Sequence, residues 1–316
     1  MGRLTAIVLG AAAGGGFPQW NCRCQVCRLA WAGDARVRPR TQASLAVSAD
    51  GESWVLINAS PDLSTQLRQV PALHPTAPKS TAPKSTALHP AAGLRGTPIK
   101  AVLLTGAEID QITGLLSLRE RAPFTVCATA ATLMSLADNA MFGVLAPDVV
   151  TRRAANPGEP LALPGGLTAE LFLVPGKVPL YLEGENPETA SETAANVGVE
   201  ISAGGARIAY VPGAAAVTPA MLARLGRADA IFFDGTLYRD DEMIASGTGT
   251  KTGRRMGHMP VAGPDGSLAA LSAIAARRIY VHINNTNPML IEGSPERGEV
   301  ERNGWEIAWD GMEVVL

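Results

Sequence analysis

The chain has 316 residues, of which 47% are hydrophobic, and its formal net charge is −2 at pH 7. This apolar content suffices for a large buried core in one or two domains. The near-neutral charge argues against a nucleic-acid or membrane-surface partner. The apolar run at the start of the chain is too short for a signal peptide or a spanning helix. We therefore expect a soluble, cytoplasmic protein.

Three of the four cysteines lie within six residues of one another, which is atypical of a secreted disulfide-bonded scaffold. Cys22, Cys24 and Cys27 form a C-x-C-x-x-C motif. In this spacing three thiolates can converge on one ion, and tetrahedral zinc then requires one further ligand. We predict a structural zinc site, with His282 as the fourth ligand or, failing that, Asn285 or water.

The first half of the chain alternates apolar strands with turns and short helices. Its glycine-rich turn after the first strand lacks the spacing of a dinucleotide-binding or phosphate-binding loop. The Asp50-Gly51 pair predicts a hairpin between the strands on either side. Predicted strands cover 4–9, 43–48, 54–57, 99–104 and 124–128, and predicted helices cover 63–70 and 132–139.

Residues 71–98 form a low-complexity segment in which TAPKS and ALHP each occur twice. Recurring proline and small polar residues cannot build a core, so we predict an exposed insertion. His74 and His89 lie inside this segment and are expected to be solvated. They leave His258 and His282 as the imidazoles available for chemistry.

Acidic residues follow the strand predicted at 99–104. Glu108 and Asp110 there occupy the position where α/β folds place ligands and catalytic groups. The alternative is that both carboxylates cap the next helix and interact with its dipole. Ser60 presents a similar choice, because it either caps the helix that follows Pro61 or belongs to the active site.

The second half of the chain predicts further strands within 161–174 and at 197–202, 206–211, 228–233 and 278–283, helices at 218–225 and 266–277, and a closing hairpin at 305–316. Asp234 ends one of these strands, and His282 lies near the end of another, which favours a functional role for His282. His258 ends a glycine-rich loop, where structural and functional roles both remain open. Because no linker divides the chain, we predict one α/β domain over 1–316, with two sheets between helices.

Several motifs together resemble the PqqB family of pyrroloquinoline quinone (PQQ) biosynthesis proteins, within the metallo-β-lactamase-like superfamily. In chain order they are GGGFPQWNC, NASPD, VPGKVPLYLEGE, GHMP and HINNTNP. The resemblance runs from Ile7 to Leu316 and is interrupted chiefly by the segment 71–98. It implies an αββα sandwich of two mixed sheets between helices.

The chain departs from the superfamily at its metal motif, H-x-H-x-D-H. The matching stretch, GAEIDQ at 106–111, keeps only the aspartate, with Gly106 and Gln111 in place of metal-binding residues. A two-metal hydrolase needs more histidines than this chain offers, which disfavours phosphodiesterase or lactonase chemistry.

A single iron-like ion remains compatible with the sequence. Asp110, together with Glu108 or Asp234 and with His258 or His282, resembles a histidine/carboxylate non-heme iron site. We therefore predict Asp110, Asp234 and His258 as catalytic residues, and Asp110, Glu108 and His282 as metal ligands.

The resemblance implies two functions that the sequence leaves open. One is iron-dependent hydroxylation of a Glu-Tyr-derived PQQ precursor, with other PQQ biosynthesis proteins as partners. The other is a non-catalytic carrier that assists transport of PQQ or its precursor to the periplasm. In either case arginines could bind the carboxylates of the ligand. The candidate substrate-binding residues are Arg38, Arg40, Ser60, Arg254 and Asn285.

Overall fold

The computed structural model describes residues 3–75, 95–184 and 188–316. Most of the predicted insertion at 71–98, including His89, lies outside the described residues. The described residues form two seven-stranded sheets that are flanked by helices. This arrangement confirms the predicted αββα sandwich. Within these ranges no helix has both the length and the apolar character needed to cross a membrane.

The elements are named here in chain order. The strands are β1 (Thr5–Gly10), β2 (Ser44–Ser48), β3 (Trp54–Ile57), β4 (Ile99–Leu103), β5 (Phe124–Ala128), β6 (Val150–Ala154), β7 (Pro160–Ala162), β8 (Thr168–Gly176), β9 (Ser191–Ala203), β10 (Ala206–Val211), β11 (Ala230–Asp234), β12 (Arg277–Val281), β13 (Trp305–Ile307) and β14 (Glu313–Val315). The helices are α1 (Gln25–Trp31), α2 (Leu63–Gln69), α3 (Ile109–Ile112), α4 (Ala130–Asp138), α5 (Pro219–Leu225), α6 (Glu242–Ala245), α7 (Ser267–Ala270) and α8 (Pro295–Arg302).

Both sheets are mixed. The first has the order β14-β1-β2-β3-β4-β5-β6, antiparallel up to β3 and parallel from β3 to β6. The second has the order β13-β12-β11-β10-β9-β8-β7, parallel from β13 to β10 and antiparallel beyond. The parallel strands β4, β11 and β12 each end in a loop that carries polar side chains, and these loops form the site.

Successive side chains along each strand point to opposite faces of the sheet, and this alternation divides the core into layers. In β11, Phe232 packs between the two sheets, whereas its neighbour Phe233 packs on the outer face of the second sheet. That outer face also contacts Leu225 of α5, and the outer face of the first sheet contacts Leu63 of α2 and Leu136 of α4. Successive strand residues point to opposite faces, so each sheet is apolar on both sides and needs a helical cover.

Two predicted elements differ in the structure. The helix predicted at 266–277 is only the short α7, which ends at Ala270 because Leu271 leaves the helical conformation (φ −107°, ψ 13°). The last predicted residue, Arg277, instead begins β12, and its backbone N donates a hydrogen bond to Asp229 O (2.9 Å). The hairpin predicted at 305–316 is wrong, because β13 pairs with β12 and β14 pairs with β1 in the other sheet. Between them the Asp310 carboxylate accepts hydrogen bonds from Ala11 N (3.1 Å) and Thr41 N (2.7 Å).

Candidate metal centre and cleft

The loops after β4 and β12 and the segment between α6 and α7 border a cleft of about 390 Å³. Asp110 follows β4, His282 follows β12, and His258 comes from the loop after α6; all three line the cleft. Asp234, the last residue of β11, is fully buried. Ligands of α/β folds bind outside the carboxyl ends of the strands, which is where these four side chains meet.

His282 has a backbone conformation that is uncommon for a residue with a side chain. Its φ is 56°, in the left-handed region, immediately after β12. Neighbouring hydrogen bonds hold this conformation, because Ile283 N donates to Ala11 O and Ala13 N donates to Ile283 O, both at 2.9 Å. Such strained residues persist where the surrounding structure fixes them, commonly at functional sites.

A continuous set of hydrogen bonds joins the polar side chains of the cleft. Asp110 Oδ2 lies 2.9 Å from His282 Nε2, and His282 Nδ1 lies 2.7 Å from the Thr236 hydroxyl. That hydroxyl donates to Asp234 Oδ1 (2.6 Å), and Asp234 Oδ2 lies 2.7 Å from His258 Nδ1. The two imidazole rings stack with centroids 5.2 Å apart. Thr236 therefore lies at the centre of the cluster.

Burial and charge oppose each other in this cluster. Burial alone would raise the pKa of Asp234, but His258 and His282 hold the pKa below its usual value. The pKa of Asp110 is likewise lowered, because its hydrogen bond to His282 and the nearby imidazoles outweigh burial. Burial would lower the pKa of His282, and Asp110 raises it overall. The lowered pKa values keep both carboxylates in the anionic form, in which Asp234 can bind a metal ion and Asp110 can accept a hydrogen bond from His282.

The donor set fits one metal ion. One ligand atom each from Asp234, His258 and His282 lie within 4.8 Å of one another. Two imidazoles and one carboxylate are the ligands of non-heme iron sites that keep positions open, and they also suit zinc. The surroundings do not extend the cluster to a second ion, because Gln111 Oε1 instead accepts a hydrogen bond from Glu108 N (3.1 Å). A Cβ at Gly106 would lie 2.6 Å from the same oxygen.

Glu108 is held away from the three clustered donors. Its Oε1 lies 2.8 Å from Lys177 Nζ, and its Oε2 accepts a hydrogen bond from Leu180 N (3.2 Å). Lys177 also lies 2.8 Å from Glu183. Glu108 thus links the start of α3 to the segment after β8, so the structure gives it a clamping role rather than the predicted position beside the metal donors.

The three predicted zinc ligands converge in a second cluster. The sulfur atoms of Cys22, Cys24 and Cys27 lie within 4.8 Å of one another. Zn–S bonds of about 2.3 Å are compatible with such spacing. Burial raises the pKa of the Cys27 thiol to about 12, and it also raises the pKa of the Cys24 thiol. A bound divalent ion reverses this effect, because coordinated thiols are deprotonated.

Asn285, and not His282, accompanies the thiols. Asn285 Nδ2 lies 3.1 Å from Cys22 Sγ and 3.3 Å from Cys27 Sγ, and its backbone oxygen lies 3.7 Å from Cys24 Sγ. Both ring nitrogens of His282 have partners in the cleft. The structure therefore corrects the expectation of a Cys₃His site, because Asn285, the alternative ligand, is the residue that contacts the thiols. Asn285 does not line the cleft, so the structure does not place it where the predicted substrate-binding role would require.

None of the three predicted arginines is among the described residues that line the cleft. Arg38 is exposed, and its backbone oxygen accepts a hydrogen bond from Arg40 (2.7 Å). Arg40 is buried, which lowers its pKa to about 10, and it donates to Ala308 O. Arg254 lies 4.0 Å from Asp265 on the surface. These contacts tie loops together rather than face a ligand.

Ser60 is fully buried, and its hydroxyl has no hydrogen-bond partner within the described ranges. Helix α2 begins at Leu63 with Asp62 at the capping position, so the predicted side-chain cap by Ser60 is not formed. Ser60 does not line the cleft.

Sequence reasoning missed three polar residues of the site. Thr236 follows Asp234 in a D-G-T triplet, and a hydroxyl two residues after a strand-end carboxylate was the available signal. Lys177 lies within the VPGKVP motif, and Lys251 lies in the glycine-rich loop that ends at His258. Both lysines line the cleft. Neither has a spacing that points to the histidines.

Comparison with known proteins identifies the class first. A sequence profile described as Beta-lactamase superfamily domain matches residues 53–283. The crystal structure of a diphosphatase from the PhnP family shares the fold, with a TM-score of 0.64 over 99% of this chain and 97% of that one, at 20% identity. The chain is thus a metallo-β-lactamase-fold protein whose cleft has the donors for one metal ion.

Nearer relatives give the family. The chain is 54% identical over 314 residues to coenzyme PQQ synthesis protein B of Methylobacterium sp. strain 4-46, covering 99% of this chain and 100% of the relative. The crystal structure of Zn²⁺-bound PqqB from Methylobacterium extorquens matches with a TM-score of 0.92 and 52% identity, over 99% of this chain and 100% of that one. The chain belongs to the coenzyme PQQ synthesis protein B (PqqB) family, which confirms the predicted resemblance.

Proposed function

We propose that this protein acts in PQQ synthesis in the cytoplasm, as one domain, by metal-dependent hydroxylation of a Glu-Tyr-derived precursor. The observation that carries the enzymatic part is the group formed by Asp234, His258 and His282 at an open cleft. Two imidazoles and a carboxylate are the ligand set of non-heme iron oxygenases. The names of the relatives support the role in PQQ synthesis.

The three donors would hold the ion, and their neighbours orient them. Asp110 occupies the Nε2 side of His282, so the Nδ1 side faces Thr236 and the Asp234 carboxylate. A carboxylate on the far side of a ligating imidazole fixes the ring and increases its basicity. We therefore assign Asp110 as a positioning residue. A redox-active ion such as iron would supply one-electron chemistry with dioxygen when bound.

We propose zinc for the thiol cluster, with a structural role. The convergence of the three sulfur atoms supports this proposal. The Methylobacterium extorquens relative was solved with Zn²⁺ bound. Asn285 would complete the site through its side chain or its backbone oxygen. Such a site ties the loop before α1 to the loop after β12.

Metal analysis of anaerobically prepared protein tests the proposal. The hydroxylase predicts zinc plus one equivalent of iron, and it predicts that Asp234→Ala removes the iron and keeps the zinc. Asp138→Ala, an exposed aspartate at the end of α4, is the matched control and should keep both metals. Exposure of the iron-loaded protein and the dipeptide L-glutamyl-L-tyrosine to oxygen, with a two-electron reductant such as ascorbate, should then add one oxygen atom to the peptide while the second oxygen atom is reduced to water, as measured by mass spectrometry.

The second candidate function is a carrier that binds PQQ or its precursor and assists its transport to the periplasm. It is favoured by Gln111, which stands where the superfamily motif has a metal-binding histidine and whose Oε1 accepts a hydrogen bond from Glu108 N (3.1 Å). A carrier predicts zinc alone in the anaerobic protein and ligand binding without turnover. The metal analysis therefore separates the two functions.

A further inference from the structure

The cleft contains charged residues that the metal cluster does not use. Lys177, Glu183 and Lys251 all line it. Lys177 Nζ lies 2.8 Å from Glu108 and 2.8 Å from Glu183, and it donates to Val178 O at 3.3 Å. An ammonium group has three donors, so the hydrogen-bonding capacity of Lys177 is filled. Its charge is balanced by the two carboxylates.

Lys251 is different. Its Nζ lies 4.0 Å from Glu183 Oε2, which is an ion-pair distance but too long for a hydrogen bond. Its side chain is 43% exposed, compared with 12% for Lys177. Arg255 approaches the same Glu183 oxygen at 3.5 Å. Glu183 is thus shared among cations, and within residues 3–75, 95–184 and 188–316 the Lys251 ammonium has no hydrogen-bond partner, which leaves it donors that a ligand can take.

Apolar surface lies in the same cleft. Ile109, Leu180 and Met256 contribute to its lining, and Ile109 and Leu180 are 54% and 55% exposed. Exposed apolar side chains around a few polar groups are typical of sites for small organic ligands. An aromatic or apolar body can pack on these residues, while a carboxylate reaches the ammonium group.

The positions of the charged side chains determine how such a ligand would be oriented in the cleft. The carboxyl groups of Asp110 and Asp234 lie beside the imidazoles of the metal cluster, whereas the Lys251 ammonium lies on the cleft lining with no hydrogen bond to Glu183, so Lys251 is where a ligand carboxylate would pair. We infer that Lys251 is the specificity-determining cation of the cleft and that the ligand is an aromatic molecule with at least one carboxylate. This inference rests on the proposed function and names the group that recognises the precursor.

Binding of L-glutamyl-L-tyrosine to the purified, metal-containing protein tests the inference by calorimetry. Lys251→Ala should weaken binding roughly threefold to tenfold and reduce its dependence on salt, because one ion pair is lost. Lys251→Arg should restore both affinity and salt dependence. Arg254→Ala is the matched control, since Arg254 lies on the same loop, is 48% exposed and pairs with Asp265. It should bind like the wild type.

A second probe removes the charge from the ligand. The same dipeptide with both carboxylates converted to amides should bind the wild type and Lys251→Ala equally weakly. The inference is overturned if Lys251→Ala binds the dipeptide as tightly as Arg254→Ala does, or if the amidated probe binds the wild type as tightly as the acid. Binding is measured without turnover, so a protein that lacks hydroxylase activity can still pass this test.

Discussion

The thiol cluster and the cleft cluster are built in opposite ways. Cys22, Cys24 and Cys27 come from one short loop, and Asn285 alone joins them from elsewhere. The cleft cluster draws Asp110, Asp234, His258 and His282 from separate segments, and it exists only when both sheets are assembled. A local, buried set of sulfur ligands suits a structural ion, whereas an open set of imidazoles and carboxylates suits chemistry. Only Ile283 and Asn284 lie between His282 and Asn285, so the two sites share one loop.

The largest expected effect is on the thiol cluster. Cys24→Ser should release the zinc and lower the free energy of unfolding by at least about 3 kcal/mol, because binding of a structural ion contributes to folding. Zinc content and denaturant unfolding measure both quantities. Cys127→Ala, which changes a buried thiol of β5, is the control and should keep the zinc. A Cys24→Ser protein with unchanged zinc and stability would contradict the structural role.

The next effect is on the cleft. Asp234→Asn should weaken Fe²⁺ binding by at least about 100-fold while the thiol zinc stays, because an anionic ligand becomes neutral. Competition with a coloured chelator measures the affinity. Asp138→Asn controls for the change of charge. Loss of both metals together would show that the two clusters are a single cooperative unit and not two separate sites.

Asn285→Ala sharpens the comparison, because Asn285 contacts the thiols and follows His282 on the same loop. We expect zinc affinity to fall about tenfold, as for the loss of a neighbouring hydrogen-bonding group at a metal. Iron affinity should change by less than about threefold if the left-handed His282 is held by Ile283 and not by the zinc. A fall in iron affinity as large as the fall in zinc affinity would reveal coupling through the loop.

The smallest effect concerns the turn before His258. Gly257 has φ 83°, and a Cβ there would lie 3.2 Å from Lys177 Cγ. Gly257→Ala should cost about 1–2 kcal/mol of stability, from the left-handed conformation and the close contact. Gly247→Ala shares the positive φ (67°) but has open space, so it should cost less. Equal losses in thermal unfolding would show that the contact with Lys177 is unimportant.

The two clusters also differ in how far the sequence predicts them. The thiols could be predicted because their ligands lie within six residues, and a short motif fixes their convergence. Asp234 and His282 could be predicted as functional residues, because each lies at or near the end of a predicted strand. The partner of His282 could not, because the thiols and Asp110 both lie near its loop and only the paired sheets decide between them.

Other positions depended on packing that local patterns do not encode. Arg40 could bind a carboxylate by its chemistry, yet its buried guanidinium instead donates hydrogen bonds to the backbone oxygens of Ala308 and Arg38 and so links two loops. Lys177 and Lys251 carry ordinary charges in loops, and only the folded cleft distinguishes the satisfied ammonium from the available one. The predicted helix at 266–277 has a helical pattern, but β12 takes its final residue as the start of a parallel strand.

Anomalous diffraction at the zinc and iron absorption edges tests the central claim most directly, with crystals of protein loaded under anaerobic conditions. The expected maps show one zinc ion bound by Cys22, Cys24 and Cys27 and one iron ion bound by Asp234, His258 and His282. Two adjacent ions in the cleft, or no ion there at full iron loading, would contradict the account.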